Sequence, residues 1–161
     1  MSHQTRLPTL GPRGEGWVLI QGFLLVAIAA AGSTGPAWSG DLHLATSGAG
    51  LLLILAGAIL AVRGLADLRE NLTPFPRPRD GARLVETGAY RLVRHPIYGG
   101  LIVGSAGWGL VTAAPLALVL AAVLFAFFDL KSRREEAWLA ERFPGYRAYR
   151  ARTKRFIPWT Y

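Results

Sequence analysis

Three long stretches without a formal charge constrain this chain more than any motif: residues 16–40, 42–62 and 96–128, which are 25, 21 and 33 residues long. A helix needs roughly 20 apolar residues to cross a hydrocarbon core about 30 Å thick, so the first two stretches each suit one crossing. The third, at about 1.5 Å per residue, would reach about 50 Å and has to fold back. Its break is legible at Val111-Thr112-Ala113-Ala114-Pro115, because proline can open a helix as its first residue but cannot continue one. The pattern predicts an all-α integral membrane protein of about four transmembrane helices: 17–32, 44–65, and a C-terminal hairpin of 98–112 and 115–130. A composition that is 52% hydrophobic and only 17% charged agrees with that reading.

The basic residues orient the bundle. All 18 lysines and arginines fall before the first span (Arg6, Arg13), between the second and third (Arg63 to Arg94), or after the fourth (Lys131 to Arg155). The two opposite loops hold none. Lysine and arginine in short loops mark the cytoplasmic side, so both termini and the long middle loop are expected in the cytosol, in a multi-pass protein of the cell membrane. Sixteen of the 18 are arginine, a bias that suits a GC-rich bacterial source and hence an inner membrane.

A net charge of +8 is met by anionic lipid headgroups, and membrane lipids rather than nucleic acid are the expected partners. The absence of cysteine excludes disulfides, thiolate catalysis and zinc–sulfur sites, and no metal site is expected. The first two spans hold no buried acid or base of the kind that marks an ion path. Gly48, Gly50, Gly57, Gly100, Gly104, Gly107 and Gly109 read as close helix packing in lipid, not as a nucleotide fingerprint. Asn71-Leu72-Thr73 matches a glycosylation sequon by chance, on the cytosolic side.

Three regions follow: a flexible lead-in at 1–15, the first two helices at 16–65, and a core at 66–161 made of cytosolic loop, hairpin and C-terminal segment. In the loop, Pro74, Pro76 and Pro78 forbid a continuous helix, and residues 82–85 are expected to be briefly extended. Leu72, Phe75, Leu84 and Val85 argue that this loop packs.

Chemistry gathers at the cytosolic ends of the hairpin, where residues some 40 apart can share a pocket. Arg94 and His95 suit a carboxylate or phosphate, Glu135 and Glu136 a ribose diol or an ammonium, and Tyr90, Tyr98, Tyr146 and Tyr149 a base or a sulfonium cation. Those are the demands of an amino-acid-bearing nucleoside such as S-adenosyl-L-methionine. Each residue also has a plain alternative. Arg94 can anchor to headgroups, the two glutamates can form a solvated face, and Tyr146 and Tyr149 can be one helix face lying on the bilayer with Trp159 and Tyr161.

The ordered set Tyr90-x-x-x-Arg94-His95-Pro96-x-Tyr98, an apolar hairpin, Glu135-Glu136-x-x-Leu139, Phe143-Pro144-Gly145-Tyr146-x-x-Tyr149 and Arg155-Phe156-Ile157-Pro158 resembles the isoprenylcysteine carboxyl methyltransferase family, whose superfamily includes the phospholipid methyltransferases. The resemblance runs from about residue 65 to 158. It implies a membrane-embedded, S-adenosyl-L-methionine-dependent methyltransferase without a Rossmann domain, with a cytosolic cofactor pocket and a lipophilic substrate entering from the bilayer. By the same resemblance Arg94, His95 and Tyr98 belong to the cofactor segment, Glu135 and Glu136 to cofactor binding and catalysis, and Tyr146 and Tyr149 to the C-terminal aromatic pair. Phe143-Pro144-Gly145 departs from the family's more usual Phe-Gly. Two competing readings are an NADPH-dependent reductase resembling the membrane sterol reductases and a non-catalytic membrane scaffold. The methyl acceptor and the oligomeric state are not legible.

Overall fold

The structure, a computed structural model, describes residues 8–33, 36–158 and 160–161; Arg6 and Trp159, which figure in the expectations above, lie outside the described residues. Among the described residues six α-helices follow one another: α1 (Glu15–Ala31), α2 (Gly40–Leu68), α3 (Ala89–Leu92), α4 (Pro96–Val111), α5 (Pro115–Arg142) and α6 (Tyr146–Arg152), with a 3-10 turn at Arg69–Asn71. Among the described residues α2 with its 3-10 extension and α5 are long and apolar enough to cross a membrane, while α1 and α4 are apolar helices of 17 and 16 residues.

The chain turns back between α4 and α5 where expected. Ala113 takes the left-handed backbone region (φ 49°), its carbonyl accepts from the Ala37 N–H at 2.8 Å, and Pro115 occupies the first turn of α5. The second arm is longer than the expected 115–130: it runs unbroken to Arg142, so Glu135 and Glu136 ride on the long apolar helix itself. Nothing between Leu130 and Arg142 breaks a helix, and charge marks only where apolar surroundings end.

Close helix contact is built from glycine at a period of seven. On α2 the buried residues are Gly50, Gly57 and Gly64, and a Cβ on these would come within 2.6 Å of the Gly107 carbonyl, 2.5 Å of the Gly100 carbonyl and 2.8 Å of the Pro96 ring respectively. Small residues let two backbones meet in lipid, where burial of side chains supplies no drive. Of the other glycines expected to pack, Gly109 lies against Leu118 and the Gly104 backbone meets Gly57, where a Cβ would come within 2.8 Å of the Gly104 nitrogen, whereas Gly48 faces open space. On α1, Trp17, Leu24, Ile28 and Ala31 form one buried face, with the Trp17 ring tilted 48° against that of Phe127 of α5, centroids 5.6 Å apart. Leu19, Phe23 and Val26 on the same helix, and Leu52, Leu55, Ile59 and Val62 on α2, stand 59–75% exposed, a belt of large apolar side chains suited to lipid contact. α1 packs on α5 and α4, α2 packs on α4, and α1 and α2 stay apart, leaving a crevice floored by α4.

The loop between α2 and α3 forms no strand at residues 82–85, where a briefly extended segment is expected, and it is held. The Arg83 N–H donates to Asn71 Oδ1 (2.9 Å), and the Ala89 N–H donates to Asp67 Oδ2 (2.7 Å). The described part of the lead-in is tied down as well: Glu15 opens α1, Arg13 sits 4.3 Å over the Phe75 ring, and Arg77 donates to the Pro12 carbonyl at 3.1 Å.

Candidate functional site

The buried stripe of α5 begins with Ala117, Ala121, Leu124 and Phe128 and continues at the same spacing into Lys131, Ser132 and Glu136, so the face that packs the bundle becomes polar where the helix leaves it. Opposite stands the His95-Pro96 start of α4. The residue before a proline is driven from the helical region, and His95 (φ −130°, ψ 65°) accordingly ends an extended segment. That segment takes the C-terminal tail as a short parallel partner: Val93 bridges Lys154, the Arg94 N–H donates to the Lys154 carbonyl (2.8 Å), and the His95 N–H donates to the Arg155 carbonyl (3.0 Å).

Glu136 is the hub. Its Oε1 accepts from Arg94 Nε at 3.0 Å and lies 3.2 Å from His95 Nε2, while Arg150 Nε is 3.5 Å from its Oε2. Arg155 Nε lies 3.4 Å from Oε1, near enough for charge attraction but not aimed for a hydrogen bond. Arg94 reaches onward to the Arg150 carbonyl (3.3 Å) and the Thr153 carbonyl, and Arg155 pairs with Asp129, which also accepts from the Tyr161 hydroxyl at 2.8 Å. The Glu136 side chain is 3% exposed and Arg94 8%. This cluster therefore ties α4, α5 and the tail together.

Glu135, one residue earlier, is 23% exposed and faces elsewhere. Its Oε2 accepts from the Tyr98 hydroxyl at 2.8 Å and lies 3.9 Å from His95 Nδ1. The Tyr98 ring stacks between His95 (centroids 5.3 Å apart, planes 4° apart) and Phe128 (4.4 Å, 12°). A cavity of about 400 Å³ brings together Tyr90, Arg94, His95, Tyr98, Glu135, Tyr146 and Tyr149, seven of the eight residues expected from sequence; Glu136 lies behind its wall. Leu72, Phe75, Leu84 and Val85 of the loop close it from the other side.

Tyr146 and Tyr149 are 1% and 2% exposed, so they belong to this cavity and not to a bilayer-facing surface. The Tyr149 hydroxyl donates to the Tyr90 carbonyl at 2.6 Å, whereas the Tyr146 hydroxyl is buried with no protein partner. Burial pushes the phenols of Tyr90, Tyr146 and Tyr149 well above their usual range, which keeps each a neutral donor. An orphaned hydroxyl, aromatic faces and a partly open carboxylate are a donor set that fits a nucleoside carrying a cationic centre.

Besides Asn71, Thr73 and Arg83 of the loop, sequence reasoning missed two polar residues of the cavity, Lys131 and Gln21, whose Nζ and Oε1 meet at 2.6 Å. A signal existed for each. Lys131 is the first basic residue after the longest charge-free run and stands four residues before Glu135, and Gln21 is a lone amide within the apolar stretch of α1. Among the described residues no group of three histidine, aspartate or glutamate side chains is placed to hold a metal ion.

Comparison with known proteins agrees with this geometry. Protein-S-isoprenylcysteine O-methyltransferase B of Arabidopsis thaliana is 30% identical over 104 residues, 63% of this chain and 53% of that protein. Nickel-cobalt-cadmium resistance protein NccN of Alcaligenes xylosoxydans xylosoxydans is 36% identical over 81 residues, 50% of this chain and 38% of that protein. The probable protein-S-isoprenylcysteine O-methyltransferase of Oryza sativa subsp. indica is 29% identical over 97 residues, 58% of this chain and 51% of that protein. The chain thus spans about half the length of the two methyltransferases and less of the resistance protein. The sequence profile of the phospholipid methyltransferase family matches residues 45–145, a stretch that holds α2, the Arg94-His95-Pro96 turn, the hairpin and both glutamates. By that match over most of its length, the chain belongs to the phospholipid methyltransferase family, within the superfamily that includes the isoprenylcysteine carboxyl methyltransferases.

Proposed function

We propose that this chain is an integral-membrane methyltransferase that uses S-adenosyl-L-methionine to methylate a lipophilic acceptor at the cytosolic face of the membrane, with α1, α2, α4 and α5 as its four crossings and both termini in the cytosol. The observation that carries the reading is the cavity at the hairpin's cytosolic mouth, where residues from α1, α2, the loop, α3, α4, α5 and α6 converge and the Tyr146 hydroxyl lacks a protein partner. Its volume of about 400 Å³ lies within the range of roughly 300–1,000 Å³ usual for small-molecule sites. The one-sided distribution of all 18 basic residues supports the orientation.

When bound, the cofactor supplies an electrophilic methyl carbon; the protein's own residues hold and orient. Glu135 is suited to the ribose or the amine, Tyr90, Tyr98 and Tyr146 to the base and the cationic centre, and His95 to the carboxylate. Arg94 and Glu136 brace the wall that carries His95 and Tyr98 and act as positioning residues. Loop and aromatic rings exclude water, which strengthens each polar contact within.

The test is thermal stabilisation of the purified protein by two nucleotides. S-adenosylhomocysteine at about 100 times its Kd should stabilise by about 2.7 kcal/mol, and NADPH should leave the melting point unchanged. Stabilisation by NADPH alone would replace this reading with a reductase, and an intact fold indifferent to both would replace it with a scaffold.

A further inference from the structure

Lys131 is the one lysine of the α5 stripe and is 1% exposed, yet no carboxylate lies within ion-pair distance of it among the described residues, Glu135 one turn on acting only through its charge. Its Nζ makes a single hydrogen bond, to the neutral Gln21 amide oxygen, and otherwise lies over aromatic rings, 4.9 Å from the Tyr98 centroid and 5.9 Å from that of Phe128. An ammonium carries three donors, and a buried charge is ordinarily paired. Two donors are therefore open in a wall of the cavity. The arginines nearby differ: Arg94 is engaged by Glu136 and two backbone carbonyls, and Arg155 by Asp129.

Lys131 stands at the inner edge of the expected cofactor site, its Nζ 4.9 Å from the Tyr98 ring centroid, and reaches from there away from the cytosolic segments. Tyr90, Tyr146 and Tyr149 belong to the cytosolic segments α3 and α6, whereas Lys131 meets Gln21 of α1 at the edge of the crevice between α1 and α2. Val18, Leu65 and Ile97 carry the cavity wall into that crevice. Farther along, Leu25, Ala58, Leu101 and Trp108 line a second, apolar cavity of about 410 Å³ over the same α4 floor. A hydrocarbon chain can follow this path with its head at the Lys131–Gln21 pair.

We propose that Lys131, oriented by Gln21, is the specificity residue for the methyl acceptor, and that it selects a single-chain lipid with an acidic head over one with an amine. The inference rests on the methyltransferase reading. Its chemistry is consistent with a residue that holds charge and takes no proton. An ionised acid oxygen forms the new bond to the methyl carbon with its own lone pair, the sulfur–carbon bond breaks toward sulfur, and no proton has to leave. A cationic ammonium head would meet Lys131 as a like charge and would have to lose a proton first.

The experiment measures binding of hexadecanoate, hexadecyl phosphate and hexadecylamine to the full chain in nanodiscs by tryptophan fluorescence, beside S-adenosylhomocysteine binding and methyl transfer to each lipid. Wild type should bind one or both acids at least tenfold more tightly than the amine, the size expected of hydrogen bonds to a charged group, and the rank of hexadecanoate against hexadecyl phosphate identifies the head. Lys131→Met should erase the preference with S-adenosylhomocysteine affinity unchanged, Lys131→Arg should keep it, and Gln21→Leu should weaken it. An amine preference in wild type, or an acid preference that survives Lys131→Met, overturns the proposal. So does a Lys131→Met protein that loses S-adenosylhomocysteine and keeps the acid preference, which would assign the lysine to the cofactor. Absence of S-adenosylhomocysteine binding in wild type would refute the methyltransferase reading instead, with the lipid preference still measurable.

Discussion

Two adjacent glutamates should respond to the same substitution in opposite ways. Glu136→Gln keeps the side chain's shape and one acceptor oxygen but removes the charge that faces Arg94 at 3.0 Å, His95 at 3.2 Å and Arg155 at 3.4 Å. Arg94, 8% exposed, is then left without a counter-ion. Removing one partner of a buried pair costs about 3–5 kcal/mol, and the retained amide oxygen argues for the lower end, about 3 kcal/mol. Arg150 adds little, since its side chain is 57% exposed and screened by water. At about 2–4 °C per kcal/mol for a chain of this size, the melting point should fall by roughly 6–12 °C. Glu135→Gln should fall by no more than about 3 °C, because an amide oxygen can still accept from Tyr98 and that single bond is worth about 1 kcal/mol. The same Glu135→Gln protein should lose affinity for S-adenosylhomocysteine at least tenfold. Differential scanning fluorimetry in detergent, with and without the nucleotide, reads both. A Glu136→Gln protein that melts with wild type, or a Glu135→Gln protein that melts far below it while binding normally, refutes the division between brace and ligand.

Gly57→Val should drive α2 and α4 apart, because a Cβ there would lie 2.5 Å from the Gly100 carbonyl; a loss of about 1–3 kcal/mol is expected by thermal melting, against no loss for Gly48→Ala, which meets open space. Tyr146→Phe removes a hydroxyl that has no protein partner, so the unliganded melting point should hold or rise slightly while nucleotide affinity falls; an unliganded melting point lowered by more than about 1 kcal/mol would mean that the hydroxyl has a structural partner.

Some of this architecture is open to inspection in the sequence because single residues decide it. Pro115 fixes the hairpin's break, and Pro96 fixes the start of α4. The ordered motifs likewise brought seven cavity residues together correctly, since a hairpin must appose its ends. What could not be read was which glutamate faces inward. Neighbouring residues on a helix differ by about 100°. The choice follows from the stripe Ala121, Leu124, Phe128, Ser132, Glu136, which is apparent only if α5 is known to run past Leu130 without a break. The pairing of Val93 with Lys154 is shorter still, one bridge with no periodicity to announce it. Charge counting could not foresee that the side chains of Arg13, Arg77 and Arg79 engage the chain itself.

A zipper of glycines spaced by seven has a built-in ambiguity, because sliding α2 along α4 by one repeat sets glycine against glycine again. Such a slip displaces the helix by about 10 Å, and the lipid belt, uniformly apolar, offers no resistance. Discrimination falls to the ends. At the end nearer the cavity the Asp67 carboxylate caps the Ala89 N–H at 2.7 Å, and at the opposite end His43 Nε2 reaches the Val111 carbonyl at 3.0 Å. These two contacts work as detents at either end of a smooth rail. They choose the one alignment in which α3 carries Tyr90 to the cavity, so the vernier of the site is set by residues that need never touch what binds there.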